Sequence, residues 1–322
     1  MSQTNGHHYG YYPGCSVGST ARAYEIANHA IAGKLGLTFE EVEDWNCCGA
    51  TEYFSLNSIP AYSLVARNLS LAADQGIVDL AVPCSACFLN LHKTDKYMGK
   101  FEDLGEKVNQ ALAAGGLHYD PGTMKIRHLL DVIVEDIGFD AVAEQVSQPL
   151  KGLRVAPYYG CLIVRPDSDA GYNPEYPTHL DKLLQVLGAT VVDFPLKAHC
   201  CGGHMTQISE DVAYELIRRL LANASEYQAD AIVTICPMCQ LNLDAYQPQV
   251  NRMFGTSFNL PVLFFTQVMG LAFGVSEKDV GIGIEIVSAK DALSKIGQEE
   301  EPAERKPKRR DKKALPMPPS LS

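Results

Sequence analysis

The sequence is short of the features that mark several large classes of protein. It has no basic excess: 27 Lys and Arg stand against 38 Asp and Glu, for a formal net charge of −11. That excludes a folded body whose surface tracks nucleic-acid phosphates, and an acidic partner for that body. It has no apolar run of membrane length. The longest, Leu260 to Val275, is interrupted by Thr266 and Gln267 and falls short of the ~20 residues a spanning helix needs, so it reads as a buried strand followed by a helix. Residues 1–14 carry neither the basic start nor the apolar stretch of a secretory signal, and the expected location is the cytoplasm. Core-forming residues are not scarce. With 46% hydrophobic and 20% charged residues, the 322-residue chain suits two domains, each long enough to bury its own core.

Cysteine is what the chain has in excess, with ten. In a reducing compartment such a number points to metal ligands or redox groups rather than to disulfides. The cysteines form two matching series, and none lies outside them. Cys15, the vicinal pair Cys47 and Cys48 before Gly49, and a CxxC formed by Cys84 and Cys87 make the first; Cys161, Cys200 and Cys201 before Gly202, and Cys236 with Cys239 make the second. The intervals agree closely, with 31 and 35 intervening residues in the first series and 38 and 34 in the second. The match extends past sulfur: Tyr11-Tyr12-Pro13-Gly14 answers Tyr158-Tyr159-Gly160, and Leu89-Asn90-Leu91 answers Leu241-Asn242-Leu243. The chain reads as a duplicated domain.

Within each copy, short apolar runs precede the CxxC pairs, at Val78–Val82 and Ala231–Ile235, and read as buried strands. Ala61–Gln75 and Asp211–Gln228 have helical length and spacing, and alternation of the two types predicts parallel α/β layers. A strand and helix at Met124–Gly138 close the first copy as Leu260–Gly274 close the second, and an insertion without an equal counterpart, Lys93–Thr123, holds a surface helix over Lys100–Ala114. The CxxC pairs then fall where a strand ends and a helix begins. Open α/β sheets bind ligands there, and free helix N–H groups there stabilise anionic sulfur. The expected domains are 9–150 and 151–298. Residues 299–322 form a charged, Pro-rich tail expected to be disordered, with seven basic residues between Arg305 and Lys313; its readings are a solvated segment lying on the acidic body or a docking arm for an acidic partner or membrane surface.

Five thiols per copy are one more than a structural zinc site or a regular iron–sulfur cube takes. Adjacent cysteines have diverging side chains, which suits a cluster of several irons better than one zinc ion. Gly49, Gly202 and Gly203 fit the same reading, since glycine lets backbone N–H groups approach sulfur closely.

The duplicated pattern, together with Asp44-Trp45-Asn46-Cys47-Cys48-Gly49-Ala50, resembles the CCG domain of the B-subunit of heterodisulfide reductase, over residues 9–275. The resemblance implies two Rossmann-like CCG domains related by a pseudo-two-fold axis, each a small, mostly parallel sheet flanked by helices. It also implies two noncubane [4Fe–4S] clusters facing each other across a disulfide substrate. Carried over by position, Cys15, Cys47, Cys48, Cys84 and Cys87 hold one cluster; Cys161, Cys200, Cys201, Cys236 and Cys239 hold the other. Disulfide cleavage takes two electrons and such clusters pass one each, so two clusters flanking one S–S bond make chemical sense. The implied function is that of the catalytic subunit of a heterodisulfide reductase-like complex, forming or reducing a small disulfide.

No residue outside the cysteines is assigned to catalysis. His199 and His204 bracket the second vicinal pair and are candidates to hydrogen-bond a sulfur or to supply a proton. His7 and His8 are expected in a mobile terminus. Gly281–Ile286 lacks the third glycine of a dinucleotide fingerprint, and no ferredoxin run of four cysteines is present. Electrons must therefore come from partners, by resemblance a C-subunit that is ferredoxin-like and an A-subunit that bears flavin. Two alternatives remain: an electron-transfer subunit of a glycolate, lactate or succinate dehydrogenase-type complex, and a zinc scaffold without redox chemistry.

Overall fold

The computed structural model describes residues 7–50, 53–164 and 173–298. Eight strands fall into two sheets of four. The first holds β1 (His7–Tyr11), β2 (Leu37–Glu41), β3 (Asp79–Val82) and β4 (Lys125–His128), in the order β2-β1-β3-β4. The second holds β5 (Arg154–Tyr158), β6 (Thr190–Val191), β7 (Ala231–Thr234) and β8 (Val262–Phe264), in the order β6-β5-β7-β8. Every pairing is parallel, and the two orders are the same order repeated. The α/β duplication expected from the cysteine series is thus present in the backbone.

β3 and β7 are mostly or wholly buried because helices cover both faces of a parallel sheet. β7, Ala-Ile-Val-Thr, is buried at every position. Helix Ser58–Asp74 follows the first vicinal pair and turns Ala61, Tyr62, Val65, Ala66, Leu69 and Ala72 inward at three- and four-residue spacing. Helix Glu210–Glu226 does the same in the second copy with Ala213, Ile217, Leu220, Leu221 and Ala224. The insertion in the first copy forms helix Glu102–Ala113, close to its expected span, burying only the stripe Gly105, Val108 and Leu112. At Met124–Gly138 the expected strand is followed by a three-residue helix, a π-helical turn at Val132–Ile137 and a further helix, Gly138–Gln145.

The copies do not keep separate cores. One buried cluster joins Tyr24, Ala27 and Ile31 of the first copy to Val268, Met269 and Leu271 of the second. The other joins Leu80, Val82 and Phe88 to Tyr158, Ile217 and Ile232. Each half is long enough for a private core, but the duplicated sheets share their apolar layers instead, and the shared burial fixes one copy against the other. His7 and His8 correct a second expectation. They open β1, in register with Leu37 and Thr38, and the His8 ring bonds Thr38 Oγ1 at 3.2 Å and Glu40 Oε2 at 2.9 Å. The charged tail lies outside the described residues. Among the described residues no helix is long and apolar enough to cross a membrane.

Candidate functional site

All ten cysteines stand beyond the carboxyl ends of strands. β1 ends at Tyr11 and runs through Tyr12, Pro13 and Gly14 to Cys15; β2 ends six residues before Cys47; β3 ends two residues before Cys84, the N-cap of helix Ser85–Lys100. The second copy repeats this path from β5 to Cys161, from β6 to Cys200, and from β7 to Cys236, the N-cap of helix Pro237–Ala245. In each sheet the chain reverses its direction of travel across the strands at the centre, between β1 and β3 and between β5 and β7. That leaves a crevice where ligands bind in open α/β folds.

The two cradles are held by the same contacts. Gly14 (φ +80°) lies so close to the last cysteine of its set that a Cβ there would stand 2.8 Å from Cys87 Sγ; at Gly160 (φ +69°) it would stand 2.9 Å from Cys239 Sγ. Both positions need glycine for the backbone angle and for the approach. Tyr12 and Tyr158, each three residues before the first cysteine, donate to the carbonyl of the residue preceding the vicinal pair: Asn46 at 2.6 Å and His199 at 2.7 Å. Asn90 and Asn242, each three residues after the last cysteine, donate to the carbonyls of Cys48 at 3.0 Å and Cys201 at 3.2 Å. Asn242 also reaches the Gly203 carbonyl at 2.9 Å. A ring of backbone is thereby stitched around each set of sulfurs by side chains that carry no charge.

Within the cradles the vicinal side chains diverge as expected. Cys47 Sγ lies 3.6 Å from Cys15 Sγ, whereas Cys48 Sγ lies 3.3 Å from Cys87 Sγ. Cys201 Sγ and Cys239 Sγ are 3.5 Å apart, and the Gly202 N–H points at Cys200 Sγ at 3.3 Å. All ten are free thiols, three buried in each set. Cys15, Cys47 and Cys200 are exposed and Cys161 is half-buried, so each set opens to solvent through its first cysteine and the first member of its vicinal pair. Among the described residues no three His, Cys, Asp or Glu side chains close on a single metal ion; the sulfurs run in chains of contacts.

Protons are unevenly shared along those chains. The Cys15 thiol, then that of Cys48, holds Cys47 down to about 2; the Cys161 thiol, assisted by the Gly202 N–H, holds Cys200 down to about 6. The equivalent cysteines Cys47 and Cys200 are thus shifted toward the thiolate in both copies. Cys48 is pushed up to about 12, first by its neighbour Cys47. The Cys239 thiol, then that of Cys84, lowers Cys236 with help from the N–H groups of Cys239 and Met238, whereas Cys84 is raised, first by Cys236. The two sets thus act on each other at the junction of the copies.

The two candidate histidines separate. His199 is exposed, and its backbone is what the cradle uses. His204, half-buried, lies near Cys47 of the other copy and favours the thiolate there. Four polar side chains that brace the cradles, Tyr12, Tyr158, Asn90 and Asn242, stood in the repeated segments, but repetition alone assigned them no partner. Two more, Tyr24 and His128, carry no repeat signal at all.

A family model described as a cysteine-rich domain, CCG, matches residues 9–92 and 155–244. The 8-methylmenaquinol:fumarate reductase membrane anchor subunit of Wolinella succinogenes is 31% identical over 282 residues, covering 87% of this chain and 97% of the relative. The B-subunit of the ferredoxin:CoB-CoM heterodisulfide reductase of Methanosarcina mazei is 30% identical over 287 residues, covering 88% and 95%. A heterodisulfide reductase B-subunit-like protein of Archaeoglobus profundus is 29% identical over 294 residues, covering 89% and 97%. Among solved structures, a hypothetical protein from Helicobacter pylori aligns with a TM-score of 0.69 at 13% identity, over 87% of this chain and 52% of that one, which supports the fold. With both of its cysteine sets complete and near-full-length relatives on either side of the 30% mark, the chain belongs to the duplicated CCG cysteine-rich domain family, alongside the B-subunits of heterodisulfide reductases.

Proposed function

We propose that the chain is the iron–sulfur subunit of a heterodisulfide reductase-like complex and that it reduces, or reversibly forms, a small disulfide between two noncubane [4Fe–4S] clusters. The observation that carries the reading is the duplicated cradle: five free cysteines per copy, the first cysteine and the first of the vicinal pair in each at least partly open to solvent, and the Cys84 and Cys236 turns brought together at the junction of the copies. Soft thiolate donors in excess of four fit a multi-iron group better than one zinc ion. Cys15, Cys47, Cys48, Cys84 and Cys87 would hold one cluster; Cys161, Cys200, Cys201, Cys236 and Cys239 the other. When bound, each cluster supplies one-electron reduction next to the crevice.

The chain's own residues do the rest. Tyr12, Asn90, Tyr158 and Asn242 hold the vicinal pairs in place without charge, which leaves the negative sulfurs unneutralised until metal binds. His204 lies beside Cys47 of the other copy and favours its thiolate. This reading requires two partners of the same complex, a flavin-containing A-subunit together with a ferredoxin-like C-subunit. A second reading, an electron-transfer subunit of a dehydrogenase or fumarate reductase-type complex, is favoured by the Wolinella relative.

Anaerobically purified protein is expected to contain about eight irons and about eight acid-labile sulfides per chain. A strong artificial donor is expected to drive slow reduction of a member of a disulfide panel, whereas NADH drives none until partners are added. Stoichiometric zinc without iron would remove both redox readings. Full iron content with no reduction of any disulfide, but electron delivery to a quinone-linked partner, would select the second.

A further inference from the structure

Tyr24 belongs to the first copy, in helix Arg22–Leu35, yet it sits wholly buried between the copies. Its ring stacks on Phe264 of β8 at 4.2 Å with an interplanar angle of 3°, and meets Phe265 edge-on. Its hydroxyl donates to two carbonyls, Pro83 at 3.0 Å and Ile235 at 3.3 Å. Those residues immediately precede Cys84 and Cys236, the first cysteines of the two CxxC turns. One phenolic hydrogen shared between carbonyls from opposite copies is a three-centre bond laid across the junction of the sulfur sets. A phenylalanine would stack equally well; only the bridge needs the hydroxyl.

A second buried group braces the same junction. His128 at the end of β4 is fully enclosed, and burial holds its ring down at about 4, so it is neutral. Its Nδ1 accepts the Leu130 N–H at 3.1 Å, which leaves the proton on Nε2, facing Ser85 Oγ at 3.4 Å, one residue past Cys84. Strand register puts Phe264 at the equivalent place in the second copy, since Val82 pairs with His128 and Thr234 with Phe264. The junction is therefore clamped from one side by polar groups of the first copy.

We propose that Tyr24 is a positioning residue that fixes the separation of the two CxxC turns, and with it the communication between the groups the two sulfur sets hold, with His128 restraining the first turn. The inference rests on the thiols holding iron–sulfur clusters. A substrate spanning both sets needs a constant gap, and a displacement near 1 Å in a reacting constellation costs up to about 100-fold in rate. The bridge adds a directional restraint at the two turns to the non-directional burial of the shared core.

The test uses the anaerobic holoprotein. Tyr24→Phe is expected to keep wild-type iron and sulfide, to broaden or weaken the magnetic interaction between the two reduced clusters in paramagnetic resonance, and to lower kcat for disulfide reduction roughly tenfold at unchanged KM. His128→Phe, which copies the second domain, is expected to have a smaller effect of the same kind, and His128→Gln, which keeps an N–H donor, to restore most of it. If Tyr24→Phe loses iron, Phe264→Leu, which removes the ring stack and keeps the hydroxyl bridge, is expected to retain a near-wild-type magnetic interaction, and its loss there would place the separation with the stack and overturn the bridge. Wild-type interaction and kcat in iron-replete Tyr24→Phe would overturn the clamp. Absence of iron from the wild-type protein would overturn the cluster reading beneath it, a distinct outcome.

Discussion

Around the sulfurs the two copies use the same tyrosine, the same asparagine and the same glycine at the same distances from cysteine, whereas at the sheet edge and next to the vicinal pairs they part. In the first copy Arg127 on β4 bonds Asp79 at 2.6 Å and Asp136 at 2.6 Å, with its guanidinium over the Tyr9 ring. The Tyr9 hydroxyl closes the knot on Asp136 at 2.6 Å. At the positions equivalent to Arg127, Asp79 and Tyr9 by register and by distance from cysteine, the second copy carries Leu263, Ala231 and Val155, all buried. Three residues before the vicinal pair the first copy has Asp44, exposed and paired with Arg67. The second has Lys197, fully buried, 2.8 Å from Asp181 and 3.6 Å over the Tyr176 ring. The cradle is thus the part of the domain that chemistry holds fixed in both copies; the sheet edge needs only to be filled, by an ion network or by aliphatic packing.

The comparison is broken most severely at the sulfurs. Cys48→Ala and Cys201→Ala each remove the buried member of one vicinal pair. Each is expected to halve the iron content and to abolish disulfide reduction, because two electrons are required and either set supplies only one. Iron analysis and steady-state rates on both variants check this. Near-full activity in one of them would mean that one set is a relay, and would favour the electron-transfer reading.

The next largest effect concerns the ion knot. Arg127→Leu imports the second copy's residue but strands two carboxylates, each with about a quarter of its surface exposed, at an expected cost of about 3 kcal/mol in urea unfolding. Adding Asp79→Ala and Asp136→Ala is expected to recover most of it. Acid sharpens the point. Arg127, with Tyr9, holds the Asp136 carboxyl down at about 2, below its usual 3.8, so this contribution is complete above the unfolded value and is lost as pH falls from about 4 to about 2. Wild type is expected to lose stability across that window more steeply than Arg127→Leu. Parallel curves would place the knot outside the energetics of the fold.

Much of this molecule was legible in its sequence because sulfur repeats are discrete. Ten cysteines in two equal series located the duplication, the CxxC turns at strand ends and the divergence of Cys47 from Cys48, and the apolar runs Val78–Val82 and Ala231–Ile235 located β3 and β7. What escaped was whatever depends on packing between the copies. The shared cores were invisible because apolar periodicity reveals which face is buried but not against what. Tyr24 was invisible for the same reason, since its partners Ile235 and Phe264 lie more than two hundred residues away in sequence, and the contact of His128 with Ser85 follows no spacing rule either. The residues bracing the cradles lay between these extremes, repeated in sequence yet assigned a role only by geometry.

The finest comparison is between the two cradle tyrosines. Tyr12→Phe removes the donor to the Asn46 carbonyl, but that oxygen keeps a second donor, Asn68 Nδ2 at 3.0 Å, and the Asn46 N–H remains tied to Asn68 Oδ1 at 2.8 Å. Tyr158→Phe removes the bond to the His199 carbonyl, where no second side-chain donor from the described residues takes its place, although solvent is near. Losing one of two bonds to an acceptor costs less than losing the only protein bond. Expected losses are about 0.5 kcal/mol for Tyr12→Phe and about 1.5 kcal/mol for Tyr158→Phe. The second cradle should accordingly release iron to a chelator sooner in Tyr158→Phe than the first does in Tyr12→Phe. Release kinetics followed by visible absorbance, with unfolding midpoints on the same samples, measure both. Equal losses would mean that water, not Asn68, decides the value of these bonds, and that the cradles are equivalent in energy as well as in shape.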